Sequence, residues 1–511
     1  MSDWAQGYVT DIGYTYGYYG EMNPIRARLA LLNAGYDVPE FKTACELGFG
    51  QGVSVNIHAA SSSTSWWGTD FNPSQAAFAR QLAAASGAAA TLTDDAFEIY
   101  AARDDLPEFD FIALHGIWSW VNDAARSAIV DLVSRRLKVG GVLYISYNTS
   151  PGWANFVPMR ELLLNHAESL SPPSAPMTDR LDNALKFAGR LMEAKPAYAR
   201  NNPAVAERLT KINEQNRSYL VHEYMNRDWV PMSIARLRDW LAPAKLSYAG
   251  SAWFSDAIDV VNLTDAQQSL LGEIPDPILR EEVRDLIVAQ QFRRDYWIKG
   301  PTKLTPFDQM NALRAERVML VQPSGKIELK IVGALGEATL HETIYRPVIN
   351  ALADYRPRTI GDLADSLASA EITFPLLLQS LFLLIAKGAV IPVHGEEQAK
   401  AARPAADRLN EALRGLARSR GDIPYLASPT IGAGVGIGRF EQLFLSAYRE
   451  GIKEPGALAE HVWSVLKPQG TAIVHEGKTY TDEHDNLALL HRQSKLFLDE
   501  LLPLFRGLGL V

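Results

Sequence analysis

Short apolar runs alternate with stretches of helical spacing through the first third of the chain. Lys42 to Leu47 reads as a strand, Val53 to Ala60 as a helix, and Ser65 to Thr69 as a second strand that stops at Asp70. The alternation continues with a helix over Ser74 to Ser86, a third strand over Ala89 to Thr93, and a fourth over Phe109 to Leu114. An amphipathic helix over Asp123 to Leu137 follows, and Gly140-Gly141 turns into a fifth strand, Val142 to Tyr147. Repeated units of this length predict an α/β fold: a parallel sheet with helices on both faces and ligands beyond the carboxyl ends of the strands.

The rest of the chain is less periodic. Asn23-Pro24 opens a helix running to about Leu32, and Arg160 to Tyr219 is helical and polar, broken by Ser171-Pro-Pro-Ser-Ala-Pro176 and Asn202-Pro203. Such an insertion serves either as an oligomer contact, giving a homodimer, or as a wall over the active site; both stay open. Ser233 to Leu241 reads as a helix, Leu246 to Gly250 as a sixth strand, and residues 256–300 as mostly helical, before a linker at Gly300-Pro301 and Thr305-Pro306. A hairpin is expected from Val318 to Gln322 and Lys326 to Ile331 around Pro323-Ser-Gly325. Helices over Thr359 to Leu367 and Phe374 to Lys387, followed by a strand over Ala389 to Val393, give a winged-helix-like order. The second of these helices carries one basic residue, Lys387, so it reads as an interaction module and not as a reader of base edges. Lys400 to Arg420 is a charged helix. The expected domains are 1–160, 161–218, 219–305, 306–400 and 401–511.

At 511 residues the chain exceeds what one core holds, and 47% hydrophobic with 21% charged residues is ordinary for a globular protein. A net charge of -9 argues against a general nucleic-acid binder. The single cysteine, Cys45, leaves no internal disulfide and no thiolate cluster. His484 and His491 lack a matching ligand set, so no metal is expected. The start, Met1-Ser-Asp-Trp, has no secretory pattern, and the most apolar stretch, Phe374 to Val393, is interrupted by Gln379, Ser380, Lys387 and Gly388. No membrane span and a cytoplasmic location are expected.

The candidate chemistry lies at the strand ends. Between the first strand and its helix runs Glu46-Leu-Gly-Phe-Gly-Gln-Gly52, where Gly48, Gly50 and Gly52 leave the backbone open to a ligand. A dinucleotide site has G-x-G-x-x-G and puts a pyrophosphate on the helix start, but here the pattern is E-x-G-x-G-x-G. A carboxylate at Glu46 repels pyrophosphate and receives the amino group of a zwitterionic methionine, which points to S-adenosylmethionine (SAM). Asp70, about 20 residues on, suits a ribose diol, and Asp94-Asp95-Ala96-Phe97 suits an adenine. Gly432 to Gly438 is discounted as a second glycine pattern, because no convincing strand precedes it and no acid follows. Tyr8, Tyr14, Tyr16, Tyr18 and Tyr19 form either a packed cap or, as favoured here, a lid over the ligand. Two loops, His115-Gly-Ile-Trp-Ser-Trp-Val121 and Asn148-Thr-Ser-Pro-Gly-Trp153, carry aromatic and hydrogen-bonding side chains to the same edge. His222 and Glu223 either reach the cleft as an acid–base pair or cap a helix.

The glycine turn, Asp70, both loops and His222-Glu-Tyr-Met-Asn226 together resemble the class I SAM-dependent methyltransferases with a methyltransferase regulatory domain, a group that includes rickettsial-type protein lysine methyltransferases. The resemblance implies a Rossmann-like sheet with a helical insertion, a separate winged-helix-like α+β C-terminal part, SAM as cofactor and a protein lysine as acceptor. It implies that Glu46, Gly48, Gly50 and Gly52 hold the methionine part. Asp70 and Phe71 would lie at the ribose, Asp95, Ala96 and Phe97 at the adenine, and His115 between cofactor and acceptor. Tyr14 and Trp118 would join His115 in catalysis, with Tyr18, Trp120, Asn148, Trp153, His222 and Glu223 on the substrate side. The loop lacks the Asn/Asp-Pro-Pro-Tyr motif of many amino-methylating enzymes, so the acceptor atom stays open. A small-molecule acceptor and a SAM-binding sensor are the alternatives.

Overall fold

The computed structural model describes residues 8, 13–172, 174–470, 473–475 and 478–511. The start of the chain and residues 9–12 of the tyrosine segment lie outside them. Five strands, β1 (Thr43–Leu47), β2 (Ser65–Thr69), β3 (Ala90–Thr93), β4 (Phe109–Leu114) and β5 (Leu137–Asn148), pair in parallel in the order β3-β2-β1-β4-β5. Apart from the short helix after β3, which starts at Ala96 without a cap, the helices that return between them start at side-chain caps or at glycine. Asn23 caps α1 (Pro24–Asn33), Gly52 opens α2 (Val53–Ser61), Asn72 caps α3 (Pro73–Ser86), and Asn122 caps α5 (Asp123–Arg136), which follows the short α4 (Phe97–Ala101).

Two expectations about this sheet are corrected. Gly140-Gly141 is no turn, because the chain leaves α5 straight into β5, and Gly140, at φ +80°, sits within that strand. Phe292 to Trp297 does not close a helical region: β7 (Phe292–Lys299) inserts antiparallel between β5 and the edge strand β6 (Leu246–Ser251), so the sheet has seven strands and is mixed. The polar run Arg293-Arg294-Asp295 hides this strand from a hydropathy reading. Arg293 is buried because it is shared by Glu281 at 3.0 Å, Asp285 at 2.7 Å and Asp295 at 2.9 Å.

The insertion folds as helices Val157–Leu170, Met177–Glu193, Pro203–Asn213 and Arg217–Tyr224 around their own core. Further on, the expected hairpin is not formed. β8 (Arg317–Leu320) pairs with β11 (Arg358–Thr359) and β12 (Val390–Val393), and the hairpin is instead β9 (Lys330–Gly333) with β10 (Gly336–Thr339), closed at a glycine with φ +105°. Helices Ile360–Leu367 and Phe374–Ala386 precede β12 as anticipated, and among the described residues no single helix is long and apolar enough to cross a membrane.

The C-terminal residues build directly on the first sheet. Helix Glu396–Ala417 lies along α2 and α3, with Arg408 Nε donating to Ser86 O at 2.7 Å, and Val53, Ile57 and Leu82 share a core with Leu409, Leu426 and Phe444. The discounted glycine pattern belongs to an antiparallel hairpin, β13 (Tyr425–Ser428) and β14 (Ala433–Gly436), so a strand does precede it. A Cβ on Gly434 would stand 2.8 Å from the Tyr18 ring, so this glycine admits a side chain of the same protein.

Asn410 fixes that hairpin to its helix. It donates to Ala427 O and accepts from Ala427 N, both at 2.7 Å, and it is fully buried. Asn410→Ala leaves two backbone groups unsatisfied, and each should lower stability by about 1–3 kcal/mol. Differential scanning calorimetry of the full chain should show a lower Tm; an unchanged Tm would mean the two groups find other partners.

Candidate functional site

The site begins with the turn after β1. Gly48, Gly50 and Gly52 have φ of +73°, +56° and +70°, a region closed to most side chains. The three glycines do not all make room for a ligand, as the sequence reading had it. A Cβ on Gly48 would meet Ile117 Cδ1 at 2.3 Å and one on Gly52 would meet Ala79 Cβ at 2.3 Å, whereas one on Gly50 would lie 3.6 Å from Tyr14. Gly48 therefore admits the loop after β4, Gly52 seats α2 on α3, and Gly50 borders the cavity itself. The Gly50 N–H donates to Asp70 Oδ2 at 2.7 Å, which locks the turn to the end of β2.

A pocket with about 820 Å³ of space, part of it open to solvent, lies over this turn. It brings together Glu46, the three glycines, Asp70, Phe71, Phe97, His115, Tyr14 and Trp120. An adjoining cavity shares Tyr8, Phe71, Phe97 and Trp120 and extends to Asp95 and Ala96. Acids at the ends of β1, β2 and β3 thus follow one another along a continuous channel.

Their electrostatics differ. Glu46 is 3% exposed, and its Oε2 has no hydrogen-bond partner among the described residues. Burial, with the charge of Asp70 beside it, holds its carboxyl well above the usual range. Asp70 is pushed up to about 7 by burial, although it accepts from Gly50 and, at 3.0 Å, from the Asn72 N–H. Asp95 is paired with Arg103 at 2.9 Å. An orphaned carboxylate oxygen fits an ammonium group, and a second carboxylate beside it fits a diol, so these residues fit the amino acid and ribose parts of SAM.

His115 stands on the opposite wall. Its Nδ1 is 2.8 Å from Tyr144 Oη, and Tyr19 stacks on its ring at a centroid distance of 3.9 Å. Burial pulls its pKa down to about 4, against the raising effect of Glu21, so the imidazole is neutral at neutral pH. Nothing in the sequence separated Tyr19 from its four neighbours, yet it is the tyrosine that orders this histidine. Tyr14 and Tyr8 meet the ring of His222 at 5.1 and 5.7 Å, and so tie the pocket to the helix Arg217–Tyr224. His222 is buried in this aromatic contact, and burial raises Glu223 beside it to about 7.

Six predicted residues line neither cavity: His222 and Glu223, reached through Tyr8 and Tyr14, and four that lie elsewhere. Trp118 is 0% exposed, donates Nε1–H to Met232 Sδ at 3.1 Å and packs edge-on to Trp240, behind the loop and away from the pocket. Tyr18 turns from the pocket onto His58 and Tyr425, in the space left by Gly434. Trp153 donates to Gln291 O at 2.9 Å and lies under Arg208, within the insertion's contacts. Asn148 is buried, with its backbone N–H on Ser119 Oγ and its carbonyl accepting from Met232 N, and it does not line the pocket. Trp118 and Tyr18 are large apolar bodies that fill the core next to them; the other two are held by backbone partners. Asp482 and Asp485 do come close to His484, contrary to the reading of an isolated histidine, but all three are exposed.

The chain matches the family described as a methyltransferase domain over residues 45–145 and the predicted methyltransferase regulatory domain over residues 216–299. It is 38% identical to the uncharacterized protein sll1526 of Synechocystis over 512 residues, 99% of each chain. To the uncharacterized protein RP028 of Rickettsia prowazekii it is 28% identical over 200 residues, 37% of this chain and 76% of that one. Its fold is similar to PKMT2 from Rickettsia typhi, solved in complex with AdoHcy, with a TM-score of 0.69, 17% identity, and coverage of 97% and 99% of the two chains.

The buried acids predict a pH dependence. Because the folded pKa of Asp70, about 7, lies above its unfolded value, its contribution to stability is present below about pH 4 and lost as pH rises through 7. A ligand that donates to the ionised carboxylate runs the other way. AdoHcy affinity, measured by calorimetry, should fall about 10-fold from pH 8 to pH 6, and Asp70→Asn should flatten that slope while weakening binding. A wild-type affinity independent of pH would remove Asp70 from the ligand.

Proposed function

The chain belongs to the class I SAM-dependent methyltransferases that carry a methyltransferase regulatory domain, and from that membership we propose that it methylates lysine side chains of a protein. The observation that carries this reading is the neutral His115, held between Tyr19 and Tyr144 where the pocket is walled by Tyr14 and Trp120. The resemblance of the His115 and Asn148 loops to rickettsial-type protein lysine methyltransferases supports it.

Bound SAM supplies an activated methyl group on a sulfonium. The residues of this chain have three tasks. Glu46 and Asp70 would hold the amino acid and ribose parts of the cofactor, on either side of its sulfonium, and alignment of this kind would supply much of the rate. Tyr8, Tyr14, Tyr19 and Trp120 exclude water. An amine entering among them is desolvated, which lowers its pKa from about 10.4 and favours the free base that can attack. His115, with its pKa near 4, is too weak a base to take a proton efficiently, so it orients the amine through a hydrogen bond, and the amine gives up its proton to bulk water before it enters as the free base.

Incubation of the enzyme with methyl-labelled SAM and a cell lysate, followed by acid hydrolysis, should yield label in methyllysine from protein. Label confined to small molecules would favour the small-molecule acceptor, and no transfer at all the sensor. His115→Ala should lower turnover by about 100-fold, as for the loss of an orienting contact, with little change in AdoHcy affinity. Loss of AdoHcy binding with normal turnover of the bound enzyme would move His115 to the cofactor side.

A further inference from the structure

A second cavity, with about 1520 Å³ of space that is partly open to solvent, lies beyond the end of β6, between the regulatory domain and the β9–β10 hairpin, and shares no lining residue with the cofactor pocket. Its walls are charged, but the charges are unequally spent. Arg293 is held by three carboxylates, and Arg284 by Asp259 at 2.8 Å and Glu281 at 3.5 Å. Arg294 reaches out of the cavity to Glu21 at 3.3 Å. Asp256 has no ion pair within 4 Å among the described residues; Ser251 Oγ stands 3.4 Å from it, and the more distant charges of Arg294 and Arg293 act on it. Asp285 is 2% exposed, and its Oδ2 is buried without a hydrogen-bond partner; Arg284 Nη1 is likewise unpartnered. The cavity therefore offers a cation the Asp256 carboxylate and the one free oxygen of Asp285, whose other oxygen holds Arg293, and it offers an oxygen the Arg284 Nη1–H and the guanidinium of Arg280, which has no ion pair among the described residues.

We propose that this cavity is a docking site for a lysine of the substrate polypeptide, outside the methyl-transfer pocket, with the ammonium taken by Asp256 and Asp285 and a backbone carbonyl by Arg284. A lysine residue carries both groups, whereas a free amine carries only the first. The rim supports a polypeptide. Val260, Val332 and Leu335 are exposed, and the Leu335 N–H donates to Val261 O, which brings the hairpin tip against the short helix Asp259–Asn262 that holds Val260. An exposed apolar rim around a polar well suits a chain whose neighbouring side chains spread over the edge. Burial raises Asp256 to about 6 and Asp285 to about 7, the direction a bound cation would reverse. Arg294 spans the two sites: its guanidinium stacks over Trp253 at 4.2 Å, at the cavity wall, and lies over Phe292 at 5.1 Å, a ring that meets His115 at 5.9 Å.

The identity of the ligand as a substrate lysine rests on the protein-lysine reading; the ammonium site itself does not. The full chain, with AdoHcy present, is titrated with N-acetyl-lysine methylamide and its norleucine counterpart. The lysine probe should bind at least about 10-fold more tightly than the norleucine probe, and Asp256→Asn should weaken it about 10-fold or more without changing AdoHcy affinity. Val332→Lys, at a position 72% exposed where folding is not at stake, should also weaken it by placing a competing ammonium on the rim. Equal binding of the two probes, no binding of the lysine probe, or indifference to both substitutions would overturn the site. If label enters protein lysine and Asp256→Asn leaves the KM for that protein unchanged, the docking inference fails and the functional reading stands. If the probe binds through Asp256 but label enters only small molecules, the lysine reading fails and the ammonium site stands.

Discussion

Two carboxylates, Glu46 and Asp70, are buried beside one another at the carboxyl edge of the sheet, and among the described residues neither has a cation against it. Burying one such charge is costly and burying two side by side more so, and a protein ordinarily answers by leaving them protonated. The surrounding structure is arranged so that the cost is removed by a ligand and not by a side chain. The Gly50 N–H and Asn72 N–H stabilise Asp70 only in part, and Glu46 Oε2 is left open. A ligand that brings an ammonium to one acid and hydroxyl donors to the other satisfies both at once. The left-handed glycine turn, the close seat of α2 on α3 and the loop over Gly48 all serve to hold this pair in a cavity shaped for such a ligand.

The tyrosine segment before α1 carries the second constraint, since its side chains leave in different directions. Tyr16 packs on Phe78 with Arg420 over it, Tyr18 enters the β13–β14 hairpin, Tyr19 stacks on His115, and Tyr14 meets His222. One short stretch thus touches the C-terminal core, the loop after β4 and the regulatory domain. Tyr18, held in the hairpin, ties the described part of this segment to the C-terminal core.

What could be read from sequence followed the strength of the local signal. β1 to β5 and the helices between them obey simple periods, and Glu46 and Asp70 were found because acids at strand ends beside glycine are chemically specific. Orientation was not readable. Trp118 and Trp120 sit two residues apart on one turn, and only packing against Met232 and Trp240 turns the first into the core while the second lines the pocket. The hairpin misread at Pro323 has the same cause, because β8 finds its partners in β11 and β12, far along the chain, where no local rule reaches.

The hardest element to read, β7, is also the one that explains why a regulatory domain is present. The segment matched to that domain, residues 216–299, contains both β6 and β7, so the methyltransferase sheet is completed by it and not merely flanked by it. Alternation along β7 sends Arg293 and Asp295 to one face, where Tyr147, Tyr248, Glu281 and Asp285 absorb their charge. It sends Arg294 and Tyr296 to the other, where Arg294 pairs with Glu21 and Tyr296 Oη donates to the Glu21 carbonyl at 2.6 Å. Glu21 lies at the start of the chain, just before α1, and its charge acts on His115. A strand that looks too polar to be buried therefore has a role on each face: one closes the regulatory domain on the sheet, and the other adds the opposed charges of Glu21 and Arg294 to a histidine whose pKa is set mainly by burial. Replacing those charges with apolar residues would suit the sheet and would disconnect the two.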